Sequence, residues 1–304
     1  MPSLAPPDAA RRHRVRHVTR YEYQESVELA QHVLHLEPRA LPLQQSVSWS
    51  LAVSPEPSVM AQHSDSFGNP VTYLALQEPH SSLEIVSEME VEVRRMMEDP
   101  ALATPCETIS AALAASADPA ARAAAAFAYA SPRVPLLSAL RDYAGQSFSP
   151  GRPIGEAALD LVHRIHADFV FDPVATTVST PLAEVLERRR GVCQDLAHVV
   201  IGCLRALGLA ARYVSGYIRT IPPPGQARLR GSDASHAWVA LWCGGTCWLD
   251  LDATNNQAAT LDYVTVAWGR DYDDVSPVRG VLFGGSSHTL AVMVDVEPVE
   301  VGPV

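Results

Sequence analysis

The sequence predicts an α+β protein, in which an antiparallel β-sandwich-like region precedes a region where a helix packs on an antiparallel sheet. Three observations favour this class. Short runs of strand-forming residues, separated by turn residues, fill positions 15–93. One amphipathic helix pattern begins near position 191, and three strand-like segments follow it. A chain of 304 residues has room for two domains of this kind.

The N-terminal part of the chain has the pattern of an antiparallel β domain. Residues 1–13 are predicted to be a flexible tail, and residues 14–100 are predicted to be the β domain. Strand-forming residues dominate positions 47–53, 71–76 and 83–93. Gly68, Asn69 and Pro70 stand just before the second of these segments and are typical of a turn. Several short strands at this spacing predict a sandwich.

The middle of the chain is rich in alanine. Residues 101–155 predict short helices that link two domains, with breaks at Pro105 and Pro119. Apolar residues at helical spacing predict a further helix over 155–166. We therefore expect the second domain, the candidate catalytic core, to comprise residues 156–304 and to end in a C-terminal strand.

The segment that follows Gly191 is the most informative part of the sequence. Its apolar residues occupy one helical face, at Leu196, Val199, Val200, Cys203, Leu204 and Leu207. Gly208 then stands where a helix end favours a left-handed residue. Strands are predicted at 211–218, 236–242 and 247–252, with a proline-rich loop at 222–225 and a turn at 244–245.

Composition narrows the class of protein. Hydrophobic residues make up 47% and charged residues 19%, which is typical of a globular chain. A formal net charge of -11 argues against a nucleic-acid partner. The five cysteines are too few, and odd in number, for a disulfide framework, and this favours the cytoplasm. Neither a secretory signal nor an apolar run of membrane length is found, so no membrane partner is expected.

Cys193 lies in the first turn of the predicted helix. At that position the helix dipole and the unpaired N–H groups favour a thiolate over a thiol. The same N–H groups can stabilise an oxyanion that develops on a substrate. These features predict a nucleophile. Cys193 can equally be a small buried residue that extends the apolar stripe, as Cys203 does, so its role depends on its partners.

His236 and Asp252 lie on consecutive predicted strands and are the candidate partners. A two-residue loop puts them on opposite faces of the hairpin, whereas a three-residue loop pairs them directly. The second register gathers the apolar residues on one face and the polar residues on the other, so it is favoured. An aspartate opposite a histidine orients the imidazole and stabilises its charged form. A core role for His236 and a turn role for Asp252 stay open.

Four segments of the sequence carry a resemblance to a known family. They are residues 191–198 (GVCQDLAH), 211–217 (ARYVSGY), 234–238 (ASHAW) and 248–255 (WLDLDATN). They resemble the bacterial transglutaminase-like family, a branch of the papain-related thiol enzymes. Residues 17–23 (HVTRYEY), 36–39 (LEPR), 67–69 (FGN) and 169–182 (FVFDPVATTVSTPL) also resemble this family. The resemblance extends from about residue 15 to about residue 300.

The resemblance implies a triad of Cys193, His236 and Asp252 on a papain-like transglutaminase core behind a β-sandwich. Two positions depart from the family pattern. Ala253 stands where proline is usual, and Asp250 stands where a small residue is favoured, so a second carboxylate competes for His236. Four residues are expected to support the triad: Asp195 by capping the helix, His198 by packing, and also Trp238 and Asp250.

These residues predict thiol-dependent transfer or hydrolysis of amide acyl groups, through a thioester, on a peptide or protein substrate. No cofactor and no metal are expected, because Cys243 and Cys247 lack a second Cys/His pair at zinc spacing. The sequence has no G-x-S-x-G, which disfavours a serine hydrolase. The rival hypothesis is an inactive member of the family that serves as a binding or scaffold module. Neither an oligomeric state nor the acyl acceptor follows from the sequence.

Overall fold

The computed structural model of the protein describes residues 10–94, 99–115, 118–220 and 235–299. The first region is built from strands. They are β1 (Ala10–Leu34), β2 (Gln44–Ser54), β3 (Val59–Ser64), β4 (Pro70–Leu76) and β5 (His80–Arg94). The three strand segments predicted from the sequence lie in β2, β4 and β5. Along β5, buried positions alternate with less buried ones, as expected for a strand with one face against a core.

Helices dominate the next part of the chain. A 3-10 helix (Pro100–Ala103) precedes α1 (Cys106–Ala115), α2 (Pro119–Ala125), α3 (Ser138–Gly145) and α4 (Ile154–Asp168). The chain then passes through β6 (Val170–Phe171), α5 (Leu182–Arg188) and β7 (Arg190–Gly191) into α6 (Cys193–Ala206). Gly208 has a φ of +75°, so α6 ends at the left-handed glycine that the sequence predicted.

Strands return in the last part of the chain. They are β8 (Ala211–Ile218), β9 (Ser235–Gly244), β10 (Cys247–Asp252), β11 (Gln257–Ala258), β12 (Tyr263–Gly269), β13 (Val278–Gly284) and β14 (His288–Val299). A short helix, α7 (Tyr272–Val275), lies between β12 and β13. The bounds of β8 and β10 are those predicted from the sequence. The predicted loop at 222–225 lies outside the described residues.

The first sheet has the strand order β2-β5-β1-β4-β3, and β13 and β14 also pair with β1. The first half of β1 lies between β5 and β14, and its second half lies between β4 and β13. The pairing shifts between Glu22 and Val27, so the two halves of β1 belong to different layers. Buried apolar residues fill the space between the layers, including Leu34, Leu74, Leu83 and Ile85. The predicted sandwich-like domain is confirmed.

The second sheet is antiparallel and has the order β11-β10-β9-β8-β12. Helix α6 packs on one face of this sheet. Its buried residues Val200 and Leu204 share one core with Val239 and Leu241 of β9. The protein is therefore α+β, as the sequence predicted. Among the described residues, no helix is long and apolar enough to cross a bilayer.

The sandwich domain is joined to the second sheet by specific hydrogen bonds. The Gln44 side chain donates to the carbonyl of Thr265 at 2.7 Å and accepts from the Thr265 N–H at 2.7 Å. Asn69 makes the same kind of reciprocal pair with the backbone of Trp268. The Arg39 guanidinium lies 3.6 Å above the Trp268 ring. These contacts fix the sandwich domain beside the second sheet.

Three of the predicted boundaries need correction. Residues 10–13 belong to β1, because they pair with both β5 and β14, and residues 1–9 lie outside the described residues. The alanine-rich segment is not a linker, since Ile109, Ala121 and Leu140 are buried in the same core as α6. The C-terminal strands β13 and β14 join the first sheet and not the catalytic core.

Candidate active site

Cys193 is the first residue of α6, and the local sequence explains why its sulfur is accessible. Asp195 turns back over the helix start, where its carboxylate accepts the Val192 N–H at 2.8 Å and the Thr176 hydroxyl at 2.6 Å. A Cβ on Gly191 would lie 2.5 Å from Asp195 Oδ2, so glycine is required there. Asp195 is therefore held by capping bonds, while Cys193 is a half-buried free thiol beside it.

His236 lies at the start of β9 and meets both of its predicted partners. Its Nε2 lies 2.7 Å from Asp252 Oδ2. The Cys193 side chain interacts with the same imidazole, both as a hydrogen-bond partner and through its charge. Burial lowers the pKa of His236, but the hydrogen bonds and charges of Asp252 and Cys193 outweigh burial and raise this pKa to about 10. The imidazole therefore favours its protonated form.

Asp252 is fully buried and is surrounded by hydrogen-bond donors. Besides the His236 contact, its Oδ2 accepts from the Tyr263 hydroxyl at 2.6 Å and from the Asn255 amide at 2.7 Å. Its Oδ1 accepts the N–H groups of Thr254 and Asn255. Burial opposes the charged form, yet these bonds and His236 lower the pKa of Asp252. The site therefore holds a carboxylate next to the imidazole.

The predicted register of the β9–β10 hairpin is wrong, although the predicted pair of residues does meet. Asp250 pairs with Ala240, and Leu251 pairs with Val239. Continuing this register by one residue places Asp252 opposite Trp238 and diagonal to His236 on the same face. The observed pairing differs from the predicted one by two residues, because the turn lies at 245–246 and Gly244 pairs with Cys247. An irregularity between Cys247 and Trp248 then leaves Cys243 as an extra residue on β9.

Asp250 does not take the place of Asp252. It lies beside Ala240, whose other neighbour across the sheet is Arg212. Burial lowers the pKa of Arg212 to about 9, and the charge of Asp250 opposes this effect. The Arg212 guanidinium also lies 3.5 Å from the centroid of Trp268 and 4.0 Å from that of Trp248. Asp250 thus supports a buried arginine and not the imidazole.

Trp238 and His198 lie around the site without facing the sulfur. The buried Trp238 ring stacks on His236, with centroids 6.2 Å apart, and makes an edge contact with Tyr263. His198 Nε2 accepts the Tyr272 N–H at 3.3 Å, and its ring lies 5.2 Å from that of Tyr213. Burial lowers the pKa of His198 to about 3. His198 is therefore a neutral packing residue, whereas Trp238 fixes the plane of the imidazole.

A pocket of about 240 Å³ opens beside Cys193 and His236. Its walls come from both domains. The second domain contributes the helix start and the β8–β9 edge, including Gln194, Tyr213 and Ser215. The sandwich contributes residues of β1, β13 and β14, which are His17, Thr19, Tyr21, Val278, Leu290 and Val292. Cys193 is thus reached through a pocket with one largely apolar wall.

Sequence reasoning missed several members of this site. Tyr263 and Asn255 bind Asp252, and His17 and Thr19 line the pocket. Asn255 and His17 lie in segments that resemble the family. This resemblance could have pointed to both residues, but it gave no role for either.

Cys243 and Cys247 lie close to each other and away from this pocket. A hydrogen bond to Cys247, with burial, raises the pKa of Cys243. In the part of the chain that the structure describes, no three metal-binding side chains cluster, so this pair has no third ligand beside it.

A cysteine at a helix start, facing a histidine–carboxylate pair on an antiparallel sheet, is the arrangement found in papain-like thiol enzymes. The fold and the site together define that general class. Residues 141–253 match the transglutaminase-like superfamily in sequence. Residues 13–92 match the bacterial transglutaminase-like N-terminal region in sequence. The chain belongs to this transglutaminase-like family.

Individual relatives agree with this assignment. An uncharacterised protein of Mycobacterium tuberculosis is 40% identical over 301 residues, which cover 97% of this chain and 95% of that protein. A protein-glutamine gamma-glutamyltransferase of Pseudomonas aeruginosa is 29% identical over 123 residues, or 34% of this chain and 18% of that protein. A solved structure of a candidate cysteine protease from Cytophaga hutchinsonii superimposes with a TM-score of 0.77 at 20% identity, covering 97% of this chain and 93% of that one. This last similarity concerns the fold.

Proposed function

We propose that this protein transfers or hydrolyses the acyl group of amides, with Cys193 as nucleophile, His236 as acid and base, and Asp252 as the residue that orients His236. One observation carries the proposal: the imidazole lies between the thiol and a buried carboxylate, with Nε2 2.7 Å from Asp252 Oδ2. The pocket beside the sulfur gives a substrate access to this line of groups. A peptide or protein amide is the proposed substrate, and no cofactor is required.

In the proposed reaction the proton lies on His236 and Cys193 is a thiolate. The sulfur attacks the amide carbonyl carbon, and backbone N–H groups at the start of α6 stabilise the oxyanion. The carbon–nitrogen bond then breaks, and the leaving nitrogen takes the proton from His236, which leaves a thioester. Water or an amine attacks the thioester and gives a proton to His236. The carbon–sulfur bond breaks, and the thiolate forms again.

The names of two relatives guide the choice of substrate. The Pseudomonas aeruginosa relative is named a protein-glutamine gamma-glutamyltransferase, which favours a glutamine side-chain amide as acyl donor and an amine as acceptor. The Cytophaga hutchinsonii protein is described as a candidate protease, which favours water as acceptor. We also propose a reducing compartment such as the cytoplasm, because all five cysteines are free.

The experiment that tests this proposal is incubation with glutaminyl peptides, with and without a primary amine, followed by mass spectrometry. Addition of the amine supports transfer, deamidation supports hydrolysis at glutamine, and cleavage supports a peptidase. Cys193→Ser should abolish every product. Cys247→Ser is the matched control, because this half-buried thiol does not line the pocket, and its activity should equal that of the wild type.

Alkylation with iodoacetamide separates an enzyme from an inactive scaffold. We expect Cys193 to react well before the other four cysteines at pH 6–7, because it lies at a helix start and beside an imidazole that favours its protonated form. Slow and equal labelling of all five would contradict the proposed thiolate and favour the scaffold. If Cys193 is labelled quickly but no product forms from glutaminyl peptides, the proposed substrate is contradicted and the proposed thiolate is not.

A further inference from the structure

Strand β1 of the sandwich domain forms one wall of the pocket that holds Cys193. His17, Thr19 and Tyr21 alternate along this strand, and all three line the pocket. His17 and Thr19 are almost completely buried, with 1% and 2% of their surface exposed. The imidazole of His17 and the hydroxyl of Thr19 therefore make hydrogen bonds within the protein. These bonds determine which of the two side chains has an N–H or O–H left to donate.

A chain of two hydrogen bonds connects Thr19 to the second sheet. The Tyr217 hydroxyl of β8 lies 3.0 Å from His17 Nδ1. The other ring nitrogen, Nε2, lies 2.8 Å from the Thr19 hydroxyl oxygen. Burial lowers the pKa of His17 to about 4, so this ring is neutral near pH 7 and carries a single N–H.

Two proton arrangements are compatible with these distances. In one, Tyr217 donates to Nδ1, and the Nε2–H donates to Thr19. In the other, the Nδ1–H donates to Tyr217, and Thr19 donates to Nε2. Among the described residues, the second arrangement leaves the Tyr217 proton without an acceptor, and the first leaves the Thr19 proton without one. An unpaired buried donor is costly, and of these two residues only Thr19 lines the pocket, where an entering group can accept its proton. The first arrangement is therefore favoured.

In the favoured arrangement Thr19 accepts from His17, and its own proton is free to point elsewhere. The pocket beside Cys193 is the space into which an acceptor can enter. We propose that the Thr19 hydroxyl donates a hydrogen bond to the carbonyl oxygen of the substrate amide, with His17 and Tyr217 as positioning residues. This inference rests on the proposed function and assigns the sandwich domain a direct part in substrate binding.

The surroundings of Thr19 favour such a bond. Its neighbours across the first sheet are Ile85 of β5 and Val292 of β14. Tyr21 and Leu290 form the next cross-strand pair and also line the pocket. Thr19 itself is only 2% exposed, and a hydrogen bond is stronger where competing water is scarce. The hydroxyl is thus a buried polar donor between the apolar side chains of Ile85 and Val292.

The test compares Thr19→Val with Thr19→Ser, which keeps the hydroxyl. The substrate is benzyloxycarbonyl-glutaminylglycine with hydroxylamine as the amine, and hydroxamate formation gives KM and kcat separately. Loss of one neutral hydrogen bond should raise KM by about 2- to 12-fold in Thr19→Val. Thr19→Ser should stay within about twofold of the wild type by the same reasoning. Tyr217→Phe should also raise KM, because without the Tyr217 hydroxyl the His17 proton is no longer held on Nε2.

Thr72→Val is the matched control, because Thr72 is a buried threonine of the same domain that does not line the pocket. Its KM should equal that of the wild type. In parallel, the reaction of Cys193 with 2,2′-dipyridyl disulfide, which has no carbonyl, reports the thiolate alone and should be unchanged in every variant. A wild-type KM in Thr19→Val overturns the inference. Equal slowing of the disulfide reaction and of turnover also overturns it, because it indicates a distorted site.

The inference can be tested even if the glutaminyl peptide is not a substrate. In that case iodoacetamide serves as the probe, because its carboxamide has to enter the same pocket. A slower reaction of Thr19→Val with iodoacetamide, at an unchanged rate with the disulfide, supports the hydrogen bond although the proposed substrate has failed. The inference is overturned if the ratio of the iodoacetamide rate to the disulfide rate is the same in Thr19→Val as in the wild type.

Discussion

The His236–Asp252 pair gives the site a definite pH dependence. The pKa of His236 is raised to about 10 by Asp252 and Cys193 in spite of burial, so the imidazole keeps the proton that the leaving nitrogen needs. Activity should therefore persist through neutral pH and fall as the pH rises through about 10. Asp252→Asn removes the charge that holds this proton. The alkaline limb of kcat/KM should then move toward neutral pH, and kcat should fall by about 10²- to 10⁴-fold.

Asp250→Asn is the matched control for this change. Its carboxylate acts on Arg212, so the alkaline limb should stay near that of the wild type. A larger effect from Asp250→Asn than from Asp252→Asn would show that the wrong carboxylate was assigned. This outcome decides which carboxylate serves His236, which the sequence left open because both aspartates lie on the same predicted strand face.

Much of the residue-scale site could be predicted because its members lie in local patterns. Cys193 follows a glycine at the start of an amphipathic helix, and His236 and Asp252 belong to adjacent strands. Tyr263 lies on β12, which pairs with β8 and not with the β9–β10 hairpin. Its contact with Asp252 depends on a side chain that reaches across the sheet. No local pattern determines such a contact.

At the scale of elements, the start of α6 depends on close packing between Gly191 and Asp195. A Cβ at position 191 would lie 2.5 Å from Oδ2 and 2.8 Å from the Cβ of Asp195. Gly191→Ala should therefore destabilise the protein by about 1–3 kcal/mol and slow the alkylation of Cys193. Urea unfolding and iodoacetamide kinetics measure the two effects. Gly145→Ala, at the end of α3 with no heavy atom near the added Cβ, should raise the free energy of unfolding by up to about 1 kcal/mol and leave the alkylation of Cys193 unchanged.

The junction of α6 and β8 depends on a buried arginine. Arg205 donates to the carbonyls of Phe127 and Ala211 at 2.8 Å and to that of Arg270 at 2.6 Å. Arg205→Met keeps the approximate volume but removes all of these buried, charge-assisted hydrogen bonds, so it should cost about 3 kcal/mol or more in the free energy of unfolding. The exposed Arg188→Met on α5 breaks only the ion pair with Glu184 and should cost less than about 1 kcal/mol.

The elements themselves were predicted more accurately than their pairing. The bounds of β8 and β10 follow from strand-forming residues between turns, and α6 ends at Gly208 as its pattern indicates. The register of β9 with β10 was missed by two residues, because the turn lies at 245–246 and an irregularity at Cys247 and Trp248 follows it. Such an irregularity has no clear mark in an alternating sequence.

At the scale of the whole molecule, the first and last strands of the chain form one structure. Strand β14 pairs with β1 from Arg12 and Val299 to Tyr23 and His288, a contact across most of the sequence. The sequence predicts strand-forming runs from residue 15 and a C-terminal strand, but it does not say which of these strands pair. This pairing brings Leu290 and Val292 to the pocket, so the wall that faces Cys193 could not be assigned from local patterns.

Several buried histidines should make the whole fold sensitive to acid. Burial lowers the pKa of His17 and of His32 to about 4 and that of His198 to about 3. These rings are neutral when folded but gain a proton near pH 6.5 when unfolded. The unfolded state therefore binds more protons below about pH 6.5, and the free energy of unfolding should fall as the pH falls from 6.5 toward 4. Urea unfolding at a series of pH values measures this slope.

His32→Phe tests this argument at one residue. Both ring nitrogens of His32 are buried without a hydrogen-bond partner among the described residues, so a phenyl ring can replace the imidazole with little loss at pH 7.5. The variant has one proton fewer to gain on unfolding. Its free energy of unfolding should therefore depend less on pH between 4.5 and 6, by up to about 1.4 kcal/mol per pH unit. An unchanged slope, with an unchanged urea m-value, would show that His32 is already protonated in the folded protein.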